Sequence, residues 1–173
     1  MEEKIVLIDE NDNIIGYEEK YITHQKGLLH RAFSVFIVNG DKMLIQQRNK
    51  NKYHSGGLWS NACCSHQREG EELIEAIHRR MKEELGIDCE IKELYHFIYR
   101  TTFDNGLSEY ELDHVFLGEY AGEIYPDEQE IEQTKWIDME ELSQDMKKNP
   151  EGYSYWFKEA LPEVLGAISD VDC

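Results

Sequence analysis

Residues 71–86, Glu-Glu-Leu-Ile-Glu-Ala-Ile-His-Arg-Arg-Met-Lys-Glu-Glu-Leu-Gly, read as one amphipathic helix set between β-rich flanks. At about 100° per residue, Leu73, Ile77 and Met81 fall on one arc, Ile74 and Leu85 widen it, and Gly86 takes the left-handed position that stops the helix after Leu85. Glu84 projects into that apolar arc between Leu73 and Ile77, while Glu83 points away and Arg80 sits at the arc's edge one turn earlier. An ionised carboxylate facing a core is costly unless it is paired or bound to a cation. Two arrangements meet that cost: a structural Glu84–Arg80 pair, or a Glu84 that faces a metal ion and leaves Arg80 free to hold an anion.

Outward from this helix the chain reads mostly as strands. Lys4–Ile8 turns at Asn11-Asp-Asn13 into a second strand, Ile14–Ile22. Ala32–Val38 and Lys42–Gln47 flank Asn39-Gly40, a strong hairpin signal because both turn residues tolerate positive φ. A polar loop covers Asn49–Gly57. Beyond the helix, Glu90–Phe103 and Ser108–Tyr120 are joined by Asp104-Asn-Gly106, and Glu132–Ile137 leads into a helix that Asp138 caps, with Glu141 three residues on. Asn149-Pro150 ends that helix, and a last one carries Tyr153, Trp156 and Phe157. No repeat, low-complexity tract or linker divides the chain. Strands, a central helix, more strands and terminal helices predict an α/β sandwich with a mixed sheet.

The 173 residues suit one domain, and 40% hydrophobic with 11% aromatic residues is too much for a disordered chain. Eighteen Lys and Arg against thirty-six Asp and Glu give a net charge of −18, which argues against nucleic acid and against an anionic membrane surface as partners. An anionic small molecule would need a local basic cluster or a bridging cation. Cys63, Cys64, Cys89 and Cys173 make no disulfide framework, no signal segment opens the chain, and no apolar run approaches the ~20 residues of a membrane span. A cytoplasmic protein with free thiols is the expectation.

Glu109, Glu111 and Asp113 alternate and so share one face of a strand. Their mutual repulsion would be relieved by a cation, although in so acidic a chain the simpler reading is an exposed acidic edge strand. His24, His30 and His66 lie at strand or loop edges where ligands can converge; His54, His78, His96 and His114 lack that context and read as surface or core residues. Imidazole with carboxylate suits Mn²⁺, Zn²⁺ or Fe²⁺, and an oxygen-rich site suits Mg²⁺. Cys64, two residues before His66, is an inert core thiol or, with a cation nearby, a base or nucleophile.

From about Ile5 to beyond Trp156 the chain resembles the type I isopentenyl-diphosphate isomerases of the Nudix superfamily. The resemblance rests on Leu28-Leu-His-Arg-Ala-Phe-Ser34, Trp59-Ser-Asn-Ala-Cys-Cys-Ser-His66, Arg79-Arg-Met-Lys-Glu-Glu-Leu-Gly86 and Glu109-Tyr-Glu-Leu-Asp113, in that order. It implies a Nudix-type α/β/α sandwich with a catalytic core of about residues 28–165. It also implies a divalent metal (Mn²⁺, Zn²⁺ or Mg²⁺) held by His24, His30, His66, Glu109 and Glu111, and an Mg²⁺ at Glu84 bridged by the substrate's diphosphate. Cys64 matches the catalytic thiol, Glu111 its partner acid/base, and Tyr99 a tyrosine that assists the acid. Lys20, Arg48, Lys52 and Arg80 match the residues lining a diphosphate pocket, and Trp156 an aromatic face over the hydrocarbon. Ser65 stands where the Nudix box opens with Gly, and Arg80 where it carries Glu; both departures are usual in the isomerases and weaken a hydrolase reading. Gln67 replaces a proline common after the histidine.

The implied reaction adds a proton to an unactivated alkene, giving a tertiary cation or something near it, and removes another from the opposite side. The expectation is that Glu111 donates and a Cys64 thiolate accepts, in a cavity closed to water. The partner is then a small isoprenoid diphosphate; no protein partner is identifiable. The competing readings are a Nudix hydrolase of a nucleoside-diphosphate derivative and a non-catalytic sensor of a metal or an isoprenoid diphosphate.

Overall fold

The computed structural model describes residues 3–171; Cys173 lies outside them. The chain runs β1 (Lys4–Ile8), β2 (Ile14–Glu19), α1 (Lys20–Lys26), β3 (Leu29–Asn39), β4 (Lys42–Arg48), β5 (Trp59–Asn61), β6 (Cys63–His66), α2 (Leu73–Leu85), β7 (Ile91–Thr102), β8 (Ser108–Glu119), β9 (Ile131–Asp138), α3 (Met139–Lys148) and α4 (Tyr155–Val171), with a 3₁₀ turn at Pro150–Gly152. The strands form one mixed sheet built around β3. Along one edge β3 pairs in parallel with β8, from Leu29 opposite Tyr110 to Val38 opposite Glu119. Along its other edge it meets β1, β6 and β4 in turn, each antiparallel.

Both faces of β3 are covered, which is why Ala32–Val38 is a continuous apolar run interrupted only at Ser34. Phe33, Val35 and Ile37 pack with Ile77, Met81 and Leu85 of α2. Phe36 and Val38 point the other way, into a cluster with Trp156, Phe157 and Val164 of α4 and Leu142 of α3. The expected three-layer α/β sandwich with a mixed sheet is the observed one.

Four local expectations are corrected. The second strand stops at Glu19 rather than Ile22, and residues 20–26 form a two-turn helix closed by Gly27 at φ 65°. A helix that short has no stability of its own, so its signal is absent from propensity; Thr23 Oγ1 donates to Glu19 O at 2.7 Å, and His24 is buried against the sheet. The short strands β5 and β6 replace what carried no strand signal. Helix α2 begins at Leu73, with Glu72 and Glu75 forming a reciprocal capping box, and Ile74 faces solvent rather than widening the apolar arc. Finally, β8 is flanked by β3 and β7 and is no edge, so the three stacked acids are buried, at 3%, 4% and 1% exposure for Glu109, Glu111 and Asp113.

Candidate active site

Strand register lays the candidate residues on one sheet face. On β3, His30, Ala32 and Ser34 share that face by alternation. Across one edge, Glu111 stands opposite His30 and Asp113 opposite Ala32. Across the other, His66 stands opposite Ala32 and Cys64 opposite Ser34. Tyr99 of β7 pairs with Glu111. Alternation also separates the adjacent cysteines. Cys63 joins the α2 side, where its Sγ lies 3.1 Å from Glu84 Oε2, whereas Cys64 opens into a cavity with Tyr99, Glu109, Glu111 and Trp156.

The histidines converge on the acids. His30 Nε2 and His66 Nε2 lie 3.1 and 2.9 Å from Glu111 Oε1. His24 Nε2 lies 3.5 Å from Glu109 Oε1. The Nδ1 atoms of His24 and His30 face backbone carbonyls, Lys20 O at 2.7 Å and Leu28 O at 2.9 Å. A carbonyl only accepts, so each Nδ1 carries a proton and each ring turns its Nε2 toward the cluster. Ligand atoms of His24, His30, His66 and Glu111 lie within 4.8 Å of one another, as do those of His24, His54 and Glu109. The buried Nε2 atoms of His24 and His54 have no hydrogen-bond partner. Buried imidazole nitrogens and carboxylate oxygens gathered this closely, with His24 and His30 backed by Nδ1–H bonds to carbonyls, fit a divalent transition metal.

The three acids differ in charge state. Burial opposes ionisation of Glu109 and Glu111, yet His24 and His54 hold Glu109 well below the usual carboxylate range, and His30 and His66 hold Glu111 low against the repulsion of Glu109. Asp113 has no histidine. Burial and the Glu111 charge push it well above its ordinary value, while Ser34 Oγ donates to its Oδ2 at 2.7 Å. Burial also pushes the Cys64 thiol up to about 12, only partly countered by the Arg48 guanidinium. Without a bound ion, these shifts favour a thiol at Cys64 and a carboxylate at Glu111. The reason is local: Glu111 has two imidazoles at hydrogen-bond distance, whereas the cation nearest in effect to Cys64 is Arg48 alone.

The basic residues line the same cavity. Burial and the neighbouring Lys52 charge lower Lys20, whose Nζ sits 4.7 Å from the Tyr53 ring centre. Lys52 Nζ lies 2.5 Å from Glu130 Oε2. Arg80 is not free: it contacts Glu83 at 2.8 Å, Glu84 at 3.2 Å and Glu130 at 3.7 Å. The Glu84–Arg80 pair exists, and both members still face the cavity. Arg48 is buried beneath Trp156, its guanidinium carbon 5.0 Å from the ring centre, and Trp156 Nε1 donates to Asn61 Oδ1 at 3.2 Å.

Every residue singled out as catalytic or substrate-binding lines this cavity, as do His66, Glu84, Glu109 and Glu111; His24 and His30 lie behind the carboxylates with no exposed surface. Sequence reasoning missed His54, which is buried beside Glu109, and Glu130, which neutralises Lys52. His54 is held by the turn of a polar loop in which Ser55 has φ 55° and a β-carbon on Gly56 would lie 2.6 Å from Lys50 O. The glycine pair after it was the signal for a tight turn, but not for what the turn points at. His114 contacts Glu93 and Asp12, at 2.7 and 3.0 Å, away from this cavity.

Residues 28–159 match the NUDIX domain family. "Isopentenyl-diphosphate Delta-isomerase 2" of Aromatoleum aromaticum is 46% identical over 170 residues, covering 98% of this chain and 90% of its own length. The protein of the same name from Photorhabdus laumondii is 45% identical, with 93% and 92% covered. Among solved structures, a Deinococcus radiodurans protein aligns with a TM-score of 0.76 at 17% identity, covering 92% of this chain and 98% of that one. A MutT NUDIX hydrolase from Burkholderia pseudomallei aligns with a TM-score of 0.64 at 22% identity, covering 79% and 98%. At those identities the structures speak for the fold alone.

Proposed function

Because this chain belongs to the NUDIX domain family and, within it, to the isopentenyl-diphosphate Delta-isomerases, we infer that it converts isopentenyl diphosphate to dimethylallyl diphosphate. The reaction moves a double bond by one position, with one proton gained at the terminal alkene carbon and one lost from the carbon on the other side of the branch point. Two acid/base groups are needed, and they must reach the same small hydrocarbon from different directions. The observation that carries the proposal is that Cys64 and Glu111, on the two strands flanking β3, open into one cavity together with Tyr99.

Cys64 and Glu111 serve as the opposed pair, and Tyr99, 2.6 Å from Glu111 Oε2, holds or relays the carboxyl proton. Trp156 offers a face that attracts positive charge without trapping it, an effect of about 0.5–2 kcal/mol. Its burial beside Tyr53, which lines the same cavity, limits the water that can reach the cation. Lys20, Arg48, Lys52 and Arg80 bind the diphosphate. When bound, a divalent ion at the His24, His30, His66, Glu109 and Glu111 cluster supplies charge that fixes both carboxylates and makes a Glu111 proton more acidic, and Mg²⁺ at Glu84 supplies charge for the diphosphate. Residues 28–165 form the catalytic core of a single domain spanning 1–173. No helix among the described residues is long and apolar enough to cross a membrane, and free thiols at Cys63, Cys64 and Cys89 accord with a cytoplasmic location.

The test is turnover of isopentenyl diphosphate by the metal-loaded chain in D₂O, followed by NMR. The expected result is dimethylallyl diphosphate with deuterium in its new methyl group. Release of phosphate or diphosphate without allylic product would establish the hydrolase instead. Folded, metal-loaded protein that binds substrate without exchange would establish a sensor.

A further inference from the structure

The reverse face of β8, turned away from Glu109, Glu111 and Asp113, meets a second group of metal-ligating side chains. His96 of β7 stands directly opposite His114 of β8, with ring centres 5.3 Å apart. Glu93 precedes His96 by three residues, and in an unbroken strand it would point to the other face. The register shifts between Glu93 and Tyr95, so that Glu93 stands opposite Phe116 while Tyr95 stands opposite Val115. That bulge turns Glu93 onto the face of His96 and His114. Ligand atoms of the three lie within 4.8 Å of one another.

His114 is the buried member, and both of its ring nitrogens face carboxylates. Nε2 lies 3.0 Å from Asp12 Oδ2, and Nδ1 lies 2.7 Å from Glu93 Oε1. A neutral imidazole has one N–H and donates to only one of them; the other contact calls for a second proton or a cation. Asp12 is the better-fixed acceptor, because Arg31 donates to its Oδ1 at 2.8 Å and to its carbonyl at 2.7 Å. With the ring proton on Nε2 and given to Asp12, Nδ1 presents a lone pair beside Glu93. A carboxylate behind a histidine in this way orients the ring as a metal ligand. Glu93 and His96 are exposed, which leaves a path for an ion and room for its water ligands.

We propose that Glu93, His96 and His114 form a second divalent-metal site, on the opposite side of the sheet from the active-site cavity, with Asp12 holding His114 from behind. Two imidazoles and one carboxylate suit Zn²⁺, Ni²⁺ or Cu²⁺ rather than Mg²⁺ or Ca²⁺. None of these residues lines the active-site cavity, so the site stands or falls separately from the isomerase reading. An ion here would join the β7–β8 pair to the turn between β1 and β2 through His114 and Asp12.

The experiment titrates the metal-free, ¹⁵N-labelled full chain with Zn²⁺, following the imidazole nitrogens by NMR and counting bound Zn²⁺ by equilibrium dialysis. The His96 and His114 nitrogens should shift together, and the wild type should bind one Zn²⁺ more than His96→Ala. Because His96 is exposed, that substitution should leave the fold intact, as circular dichroism checks. Asp12→Asn, which removes the backing carboxylate but no ligand, should raise the dissociation constant of this ion about 10- to 100-fold. Equal Zn²⁺ counts for wild type and His96→Ala, or His114 nitrogens unmoved at saturation, would overturn the site and leave a protonated His114 bridging Asp12 and Glu93.

Discussion

The Tyr99 hydroxyl lies 2.6 Å from Glu111 Oε2 and 2.7 Å from Glu109 Oε2, so one proton faces two carboxylates. It can serve only one of them at a time. Burial and the neighbouring carboxylates push the Tyr99 phenol well above its ordinary value, so it stays a donor throughout the neutral range.

Tyr99→Phe removes that donor and leaves two buried carboxylate oxygens without it. The kcat for isomerisation should fall about 10²-fold or more, with KM changed little, because the diphosphate contacts are untouched. The acid limb of the kcat profile should move to higher pH, since a carboxylate that loses a hydrogen bond becomes easier to protonate. An unchanged pH profile together with reduced kcat would point to a packing role for the ring.

The Cys64 thiol, pushed up to about 12 by burial, predicts slow alkylation. Below that value the thiolate fraction grows tenfold per pH unit, so at pH 7 it is on the order of 10⁻⁵. Iodoacetamide modification of the Cys64 peptide, followed by mass spectrometry, should accelerate about tenfold per unit from pH 7 to 10 without a plateau. Arg48→Gln should slow it further, because Arg48 is the cation that favours the thiolate. A plateau near pH 8 would mean that the thiolate is stabilised. Cys64→Ser and Glu111→Gln should each reduce turnover by about 10³-fold or more while the fold persists.

Much of this site was written in local sequence, and the physical reason differs from part to part. Helix α2, the Asn39-Gly40 hairpin and the Asp138 cap declare themselves because periodicity and turn chemistry are properties of a few adjacent residues. The acids of β8 did not declare their burial, because whether a strand is central or an edge depends on β7 and β3, distant in the chain. Reading Glu109, Glu111 and Asp113 as an exposed edge fails on that account; His24, His30, His54 and His66 make the burial of Glu109 and Glu111 tolerable, and Ser34 bonds Asp113. His54 was illegible for a similar reason: its contacts with Phe103 and Glu109 come from strands distant in the chain rather than from its own neighbours.

Arg80 offers a test of the two readings of Glu84. The carboxylate is 5% exposed and meets Arg80 at 3.2 Å and the Cys63 thiol at 3.1 Å. Removing one partner of a buried pair leaves an uncompensated charge, so Arg80→Met should lower unfolding stability by about 3–5 kcal/mol in chelator. If Glu84 also serves Mg²⁺, millimolar Mg²⁺ should restore part of that loss, and stabilise the variant more than the wild type, as followed by urea denaturation. Equal Mg²⁺ effects on both proteins would leave Glu84 as a structural partner of Arg80.

The histidines around Glu111 make a pH optimum of stability predictable for the chelated protein. Burial, only partly offset by Glu111, lowers His66 from 6.5 to about 4. Between those values the unfolded chain binds a proton that the folded chain does not, so stability falls as pH drops from 6.5 to about 4. His30 runs the other way. Burial opposes its protonation, but the bond to Glu111 wins and raises it above 6.5, so its contribution is full below 6.5 and is lost as pH rises through its folded value. Each limb has a limiting slope of about 1.4 kcal/mol per pH unit. Urea denaturation from pH 4.5 to 8 should therefore show the His66→Asn difference from wild type growing on the acid side and the His30→Asn difference shrinking on the alkaline side. Metal should flatten neither limb but steepen the acid one, because protons and the ion compete for the same Nε2 lone pairs. Acid limbs that coincide for wild type and His66→Asn would show that His66 takes up its proton in the folded chain as readily as in the unfolded one.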